Sequence, residues 1–474
     1  MLHFGPKTTV GFAISLLTLG CNASLGGDPR ETRVDAEPLN TAEGVEFPSE
    51  VKELTYGGIA ARCDESKIGK PLLRRLGKEE LTASIRTAFP DLEDWTPDAL
   101  EADPKSELGF DTDSETLVAS PGYIDAWART AEELASQLTE GDALRQWTSC
   151  QDTSPCVEET LERIGAQLTR RPLLAEELSE FLEFFELVKG RSDERNAWRW
   201  TLAALLQHPS VLYRGEIGEK GENGTRSMRA HELADALAYT YTGAPPDEEL
   251  RDLANAGELS DATARVEQAK RLLETPAGEE MLVRFVRQWL FTERVSGASK
   301  AEYEGFEAIS RKMTEEADRL IRHVLIEEGG SLEDLFTVAE TVVDPELAEF
   351  YGLPHEGDGW LTVSRDASEG VGILATGAVT AGFSQHDKSS PTQRGLFVFR
   401  RLLCKDIPPP PAELPAVEAP AEGGLTTRQL WERQHANQEA CRVCHDEFDP
   451  VGYAFEHFDE LGRYRADEDG LTID

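Results

Sequence analysis

Leu282-Val283-Arg284-Phe285-Val286-Arg287-Gln288-Trp289-Leu290 sets apolar side chains at 282, 285, 286, 289 and 290. Spacings of three and four put these side chains on one face of an α-helix. The same spacing recurs in Ile124, Trp127, Ala131, Leu134 and Leu138, in Leu178, Phe181, Leu182, Phe185 and Val188, and in Leu320, Ile321, Val324 and Leu325. Each stripe predicts a helix that buries one face against its neighbours, with the aromatic residues serving as core rather than as cofactor contacts. Strand signals are few and short: Thr341-Val342-Val343 and Trp360-Leu361-Thr362-Val363. The pattern predicts a mainly α fold, a multi-helix body with few short strands.

The 474 residues suffice for about three domains of ~150 residues. A net charge of -41 excludes nucleic acid and anionic lipid headgroups as partners, because both repel such a surface. It suits a cationic partner, a divalent metal, or solubility alone. Lys7 precedes an apolar run, Val10 to Leu19, too short to span a bilayer. Leu17-Thr18-Leu19-Gly20-Cys21 then resembles the lipobox of bacterial lipoproteins, which makes residues 1–21 a signal peptide and Cys21 the lipidated residue. The alternative is an ordinary signal peptide cut near Ala23. No other apolar run reaches ~18 residues, so the expected membrane attachment is a lipid anchor alone. Residues 22–50 are polar and aperiodic, a flexible tether. The expected location is outside the cytoplasm, lipid-anchored at the outer membrane or cell surface, with the periplasm as the alternative.

Boundaries fall at Glu219–Gly224, at the turn-rich Leu353–Gly359, and at the Pro/Ala/Glu stretch from Pro408 to Gly424. That last stretch should be extended and deliver the chain to a final helix, about Thr427 to Glu439, running into Cys441.

Seven cysteines are present: 21, 63, 150, 156, 404, 441 and 444. Cys150 and Cys156 flank a short loop that a disulfide would close; Cys63 and Cys404 would pair or stay free. Cys441-Arg442-Val443-Cys444-His445 has the spacing of c-type haem attachment. Residues three apart share a helix face. Two thiols there can each add to one haem vinyl group, and the adjacent imidazole reaches iron. The competing readings are a redox or disulfide Cys-x-x-Cys, without the strand–helix setting of a thioredoxin fold, and half of a zinc site, without a second Cys-x-x-Cys.

For the sixth iron ligand, His386 in Ser384-Gln385-His386-Asp387 is the first choice, beside an open or water-bound position. His435, His457, Met228 and Met313 are further candidates. Arg463 and Arg465 are candidates to pair with the haem propionates, since a guanidinium matches a carboxylate fork; the competing reading leaves them solvated on a turn.

These motifs resemble a multi-domain family of exported planctomycete and myxobacterial proteins, built from domains of unknown function numbered 1587, 1595, 1592 and 1588. The 1587-like part is Arg75 to Leu81, Gly109-Phe110-Asp111 and Ser120-Pro121; the 1595-like part runs from Arg170-Arg171-Pro172-Leu173 to His208 through Arg214. The 1592-like part includes Pro245-Pro246-Asp247, Gln288-Trp289-Leu290 and Tyr351-Gly352-Leu353. The 1588-like part includes Ser389-Ser390-Pro391-Thr392-Gln393-Arg394-Gly395, Pro408 to Pro411 and Cys441 to Asp459, with His457 where such proteins commonly carry Asn. The resemblance implies helical domains at 51–145, 146–218 and 225–355, and a cytochrome-c-like haem module at 356–474. Family members usually continue into another small domain, whereas this chain stops at Asp474.

The leading functional expectation is a membrane-anchored protein with one covalent haem c that passes single electrons to or from a redox partner, cationic to suit the acidic surface. The alternatives are a haem oxidoreductase or peroxidase, with His386 beside Asp387 or Arg394 as its distal acid/base cluster, and a non-catalytic cell-surface binding protein.

Overall fold

The computed structural model describes residues 71–148, 154–221, 226–301, 303–405, 407, 424–436 and 439–473. Helices dominate, and the only sheets among these residues are four antiparallel pairs of short strands. The fold is mainly α, as the periodicity predicts. No described helix is long and apolar enough to cross a membrane.

The chain divides into two compact units. The first takes residues to Pro104 and Thr112–Gly278; the second takes Lys105–Asp111 and Glu279–Asp474. The division falls inside the helix Pro276–Leu290, within the stretch 225–355.

In the first unit, Ser120-Pro121 opens the helix Pro121–Thr139: the Ser120 hydroxyl accepts the Tyr123 N–H at 3.0 Å, and proline's missing donor costs nothing at this position. The buried stripe Trp127, Ala131, Leu134 and Leu138 packs with Leu81 and Ile85 of the helix Lys78–Ala88 and with Leu202 and Leu206 of the helix Glu194–Leu206. The Trp127 indole donates to the Leu206 carbonyl at 3.0 Å, which pays for burying its polar edge. A strand pair without an alternating pattern, Leu72–Arg75 against Tyr213–Glu216, closes one side. The helices Ala230–Thr242, Glu248–Ala256 and Ala262–Leu273 build a smaller cluster around Leu250, Leu259 and Leu272.

In the second unit, Val283, Val286 and Leu290 pack with Leu320, Ile321 and Leu325 and with Ile373, Val379, Phe383 and Phe397. The two strand signals pair with each other, Glu340–Val343 against Leu361–Ser364. The segment Lys105–Asp111 is tied into this unit by Asp111, which accepts from Arg284 at 2.9 Å and Gln288 at 2.7 Å. A second cluster surrounds Met313, Ala317, Val343, Leu347 and Ala378. Beside it Glu316 is fully buried, accepting hydrogen bonds from the Thr341 hydroxyl at 2.6 Å and the Tyr351 hydroxyl at 2.8 Å.

The C-terminal segment differs from the expectation. The helix beginning at Thr427 ends at Ala436, and a separate helix, Glu439–Tyr453, contains the whole Cys441–His445 motif. Pro450 lies in its last turn, where the lost hydrogen bond does not interrupt the helix that precedes it.

Burial pushes the Glu316 carboxyl above the ordinary carboxylate range. The folded state then holds the proton after the unfolded chain has released it near pH ~4.3, so this group lowers stability as pH rises above that value. Glu316→Gln keeps an acceptor for the Thr341 hydroxyl and abolishes the titration. Its melting temperature relative to the unaltered chain should therefore improve as pH rises above about 4. Calorimetry at several pH values tests this; a difference independent of pH would be the contrary result.

Candidate functional site

The helix Glu439–Tyr453 carries Cys441, Cys444, His445, Phe448, Asp449 and Gly452 along one side, since positions three and four apart stack on a helix face. The two ends of this stripe have different surroundings. Cys441, Cys444 and His445 are half-buried, while Val443, between the cysteines, points outward and is 72% exposed. Phe448 and Asp449 are buried. They lie against the helix Pro391–Arg401, where Phe448 meets Phe399 edge-on with centroids 6.3 Å apart.

Two glycines let these helices touch. A Cβ on Gly395 would overlap the Phe448 carbonyl, and one on Gly452 would overlap the Pro391 carbonyl. Glycine in a helix interior costs conformational entropy, and here the close backbone approach accounts for it.

The closeness brings Thr392 to Asp449. The His445 Nδ1 lies 3.0 Å from Asp449 Oδ2. The other carboxylate oxygen, Oδ1, accepts from the Thr392 hydroxyl at 2.8 Å. Thr392 Oγ1 in turn accepts from the Trp431 indole N–H at 2.9 Å. With Asp449 ionised, a carboxylate only accepts, which would put the imidazole proton on Nδ1 and leave Nε2 as the nitrogen suited to a metal. The ring is also held by Phe448, with centroids 4.9 Å apart.

Arg394, on the same helix as Thr392, is fully buried. Its guanidinium donates to the carbonyls of Phe455 at 2.8 Å, Phe458 at 2.9 Å, Asp459 at 2.8 Å and Thr380 at 2.8 Å, and pairs with Glu456 at 3.4 Å. Burial lowers its pKa to about 10, which still leaves it charged at neutral pH. Glu456, whose carboxyl is pushed up by burial, also accepts from the Ser389 hydroxyl at 2.7 Å. The turn after the motif helix is thus fixed by residues of Ser389–Gly395. Arg394 therefore does not serve as the distal partner of His386, the alternative to Asp387: every direction of its guanidinium is taken up by the fold.

His386 is exposed, its Nδ1 2.8 Å from the Ser299 carbonyl. It belongs to a loop held by the buried Lys300, which donates to the carbonyls of Ala381 at 3.0 Å and Gln385 at 2.9 Å. Burial lowers the pKa of Lys300 to about 8. Arg463 pairs with Asp459 at 2.9 Å; Arg465 pairs with Glu456 at 3.4 Å and Glu468 at 3.3 Å. Both guanidiniums are engaged with carboxylates of the protein. His457 Nδ1 contacts the Arg465 carbonyl at 3.0 Å and its ring stacks on Tyr464. Met313 is fully buried in the Glu316-side core, and Met228 belongs to the first unit. Cys156 is disulfide-bonded and Cys404 is an exposed free thiol. Cys21, Cys63, Cys150 and the His435 side chain lie outside the described residues. Among the described residues, no three His, Cys, Asp or Glu side chains converge as a metal-binding set. Sequence reading missed Thr392, Asp449 and Trp431; the one signal was that Asp449 lies four residues after His445 on a helix.

Gly452→Ala sets the gain in helix propensity, about 1 kcal/mol, against overlap with the Pro391 carbonyl. Overpacking costs of about 1–3 kcal/mol should outweigh that gain and lower the melting temperature by a few degrees. A thermal scan with an unchanged midpoint would show the crossing to be looser.

Three family models match the chain in order: a protein family of unknown function, DUF1595 (PSD5), over residues 156–216; a second, DUF1592 (PSD4), over 228–353; and a third, DUF1588 (PSCyt3), over 370–468. Their series supports the multi-domain family that the sequence resembles. No curated protein and no solved structure matches the chain.

Proposed function

We propose that this chain, carrying the 1595, 1592 and 1588 domains in series, is an exported redox protein that holds one haem c on the helix Glu439–Tyr453 and transfers single electrons. The observation that carries the reading is the His445–Asp449 pair on the same helix face as Cys441 and Cys444. A histidine that binds a metal through one nitrogen characteristically gives its other N–H to a carboxylate or carbonyl, and Asp449 supplies that acceptor. The "Cyt" in the short name of the 370–468 family points the same way.

The donor set fits the group. Cys441 and Cys444 would hold it through thioethers and His445 Nε2 would ligate its iron. Bound there, haem supplies a one-electron ferric/ferrous couple. The chain's own residues do the rest. Asp449 keeps the proton on His445 Nδ1. Phe448 packs the imidazole, and Arg394 fixes the turn that follows the helix. The lipobox-like Cys21 supports anchoring outside the cytoplasm, where such attachment takes place, and the acidic composition supports a cationic redox partner.

Expression in a host with c-type maturation tests the reading. The purified protein should gain the mass of one haem, keep it under denaturing conditions, and show the reduced spectrum of a doubly thioether-linked haem. Cys444→Ala should retain a single thioether, with a red-shifted reduced band. Protein with both thiols intact and no covalent haem, or with Cys441 and Cys444 oxidised to a disulfide, would sink the proposal.

A further inference from the structure

We infer that Thr392, 57 residues before Asp449, is a positioning residue for His445: through Asp449 it selects the imidazole's tautomer and orientation and thereby sets the redox potential of the site. What this does to a potential rests on the haem reading above; what it does to the imidazole does not.

The directions of the Trp431–Thr392 and Thr392–Asp449 hydrogen bonds are forced. The Trp431 indole nitrogen has a hydrogen and no accepting lone pair, so Thr392 Oγ1 must accept at 2.9 Å. The single hydroxyl hydrogen then points to Asp449 Oδ1, 2.8 Å away. Asp449 is 2% exposed, and a buried carboxylate persists only where donors satisfy it. An aspartate four residues along a helix from a histidine has other staggered positions available. The hydroxyl on the neighbouring helix selects the one that turns Oδ2 to His445 Nδ1. The backbone contact at Gly395 and Gly452 sets the separation across which this works.

A carboxylate on the Nδ1 proton makes imidazole a more basic ligand, and a more basic axial ligand favours the ferric state. Thr392→Val removes the hydroxyl at nearly constant shape. It removes the donor to Asp449 Oδ1 and the acceptor of the Trp431 N–H, so Asp449 Oδ2 is aimed less firmly at His445 Nδ1. Asp449→Asn removes the charge outright. Both variants should make reduction easier, with an increase of roughly tenfold in its equilibrium constant, about 59 mV for one electron. Thr392→Ser keeps the hydroxyl and should restore the original potential.

The experiment pairs two measurements on the full chain. Redox titration of the haem-loaded protein should place Thr392→Val and Asp449→Asn above the unaltered protein, and Thr392→Ser with it. Long-range proton–nitrogen spectra of haem-free protein, at a pH where the ring is neutral, should show His445 protonated at Nδ1 and shifted toward the Nε2–H tautomer in Thr392→Val and Asp449→Asn. An Nε2–H tautomer in the unaltered chain overturns the inference, as does a Thr392→Val protein with unchanged tautomer and potential. A Thr392→Ser protein as shifted as Thr392→Val also overturns it, because packing alone would then be the cause. Absence of haem in every preparation defeats the haem reading and leaves the tautomer to decide the positioning role.

Discussion

The helices Pro391–Arg401 and Glu439–Tyr453 meet where neither has room for a side chain. Gly395 lies against the Phe448 carbonyl and Gly452 against the Pro391 carbonyl, and these contacts set the distance at which the rest of the site is built. At that distance a threonine hydroxyl, one of the shortest polar side chains, reaches across to Asp449. A wider crossing would call for a longer donor, whose extra rotatable bonds carry more conformational entropy and aim the carboxylate less well.

Around this crossing Asp449, Arg394 and Glu456 are buried, and each is matched. Asp449 is answered by Thr392 and His445. Arg394 is answered by a ring of carbonyls and by Glu456, and Glu456 also receives Ser389 and Arg465. A buried ion pair contributes little net stability by itself, because desolvation offsets the attraction. Its value here is geometric. Carbonyl groups converging on one guanidinium hold the turn after the motif helix in a single conformation, so the motif face is supported from both the helix Pro391–Arg401 and its own C-terminal turn.

The polar network and the apolar support come from different segments, and both act on His445. Phe448 fixes the ring by packing; Asp449, Thr392 and Trp431 fix it by directed hydrogen bonds. The outward residues of the same turn, Arg442 and Asp446, pair with each other at 3.1 Å on the surface. Such an exposed pair adds little to stability. The Cys441–His445 end of the stripe therefore stays at the surface while its Phe448–Gly452 end is anchored in the core.

Local rules settled much in advance. Spacings of three and four identify the helices around Trp127, Phe185, Val286 and Leu320, because side-chain direction within a helix depends only on nearby residues. The Cys441–His445 spacing identifies a one-sided donor set for the same reason. Tertiary structure decided the remainder. It put the motif inside the helix Glu439–Tyr453. It paired Leu72–Arg75 with Tyr213–Glu216, and it joined Lys105–Asp111 to residues beyond 279. It turned Arg394 from a reactive-looking residue into a buried anchor. Above all it supplied Thr392, with Trp431 behind it, to Asp449, the partner of His445: contacts between segments distant in sequence that no periodicity encodes, because they depend on how closely two helices approach and not on the pattern within either one.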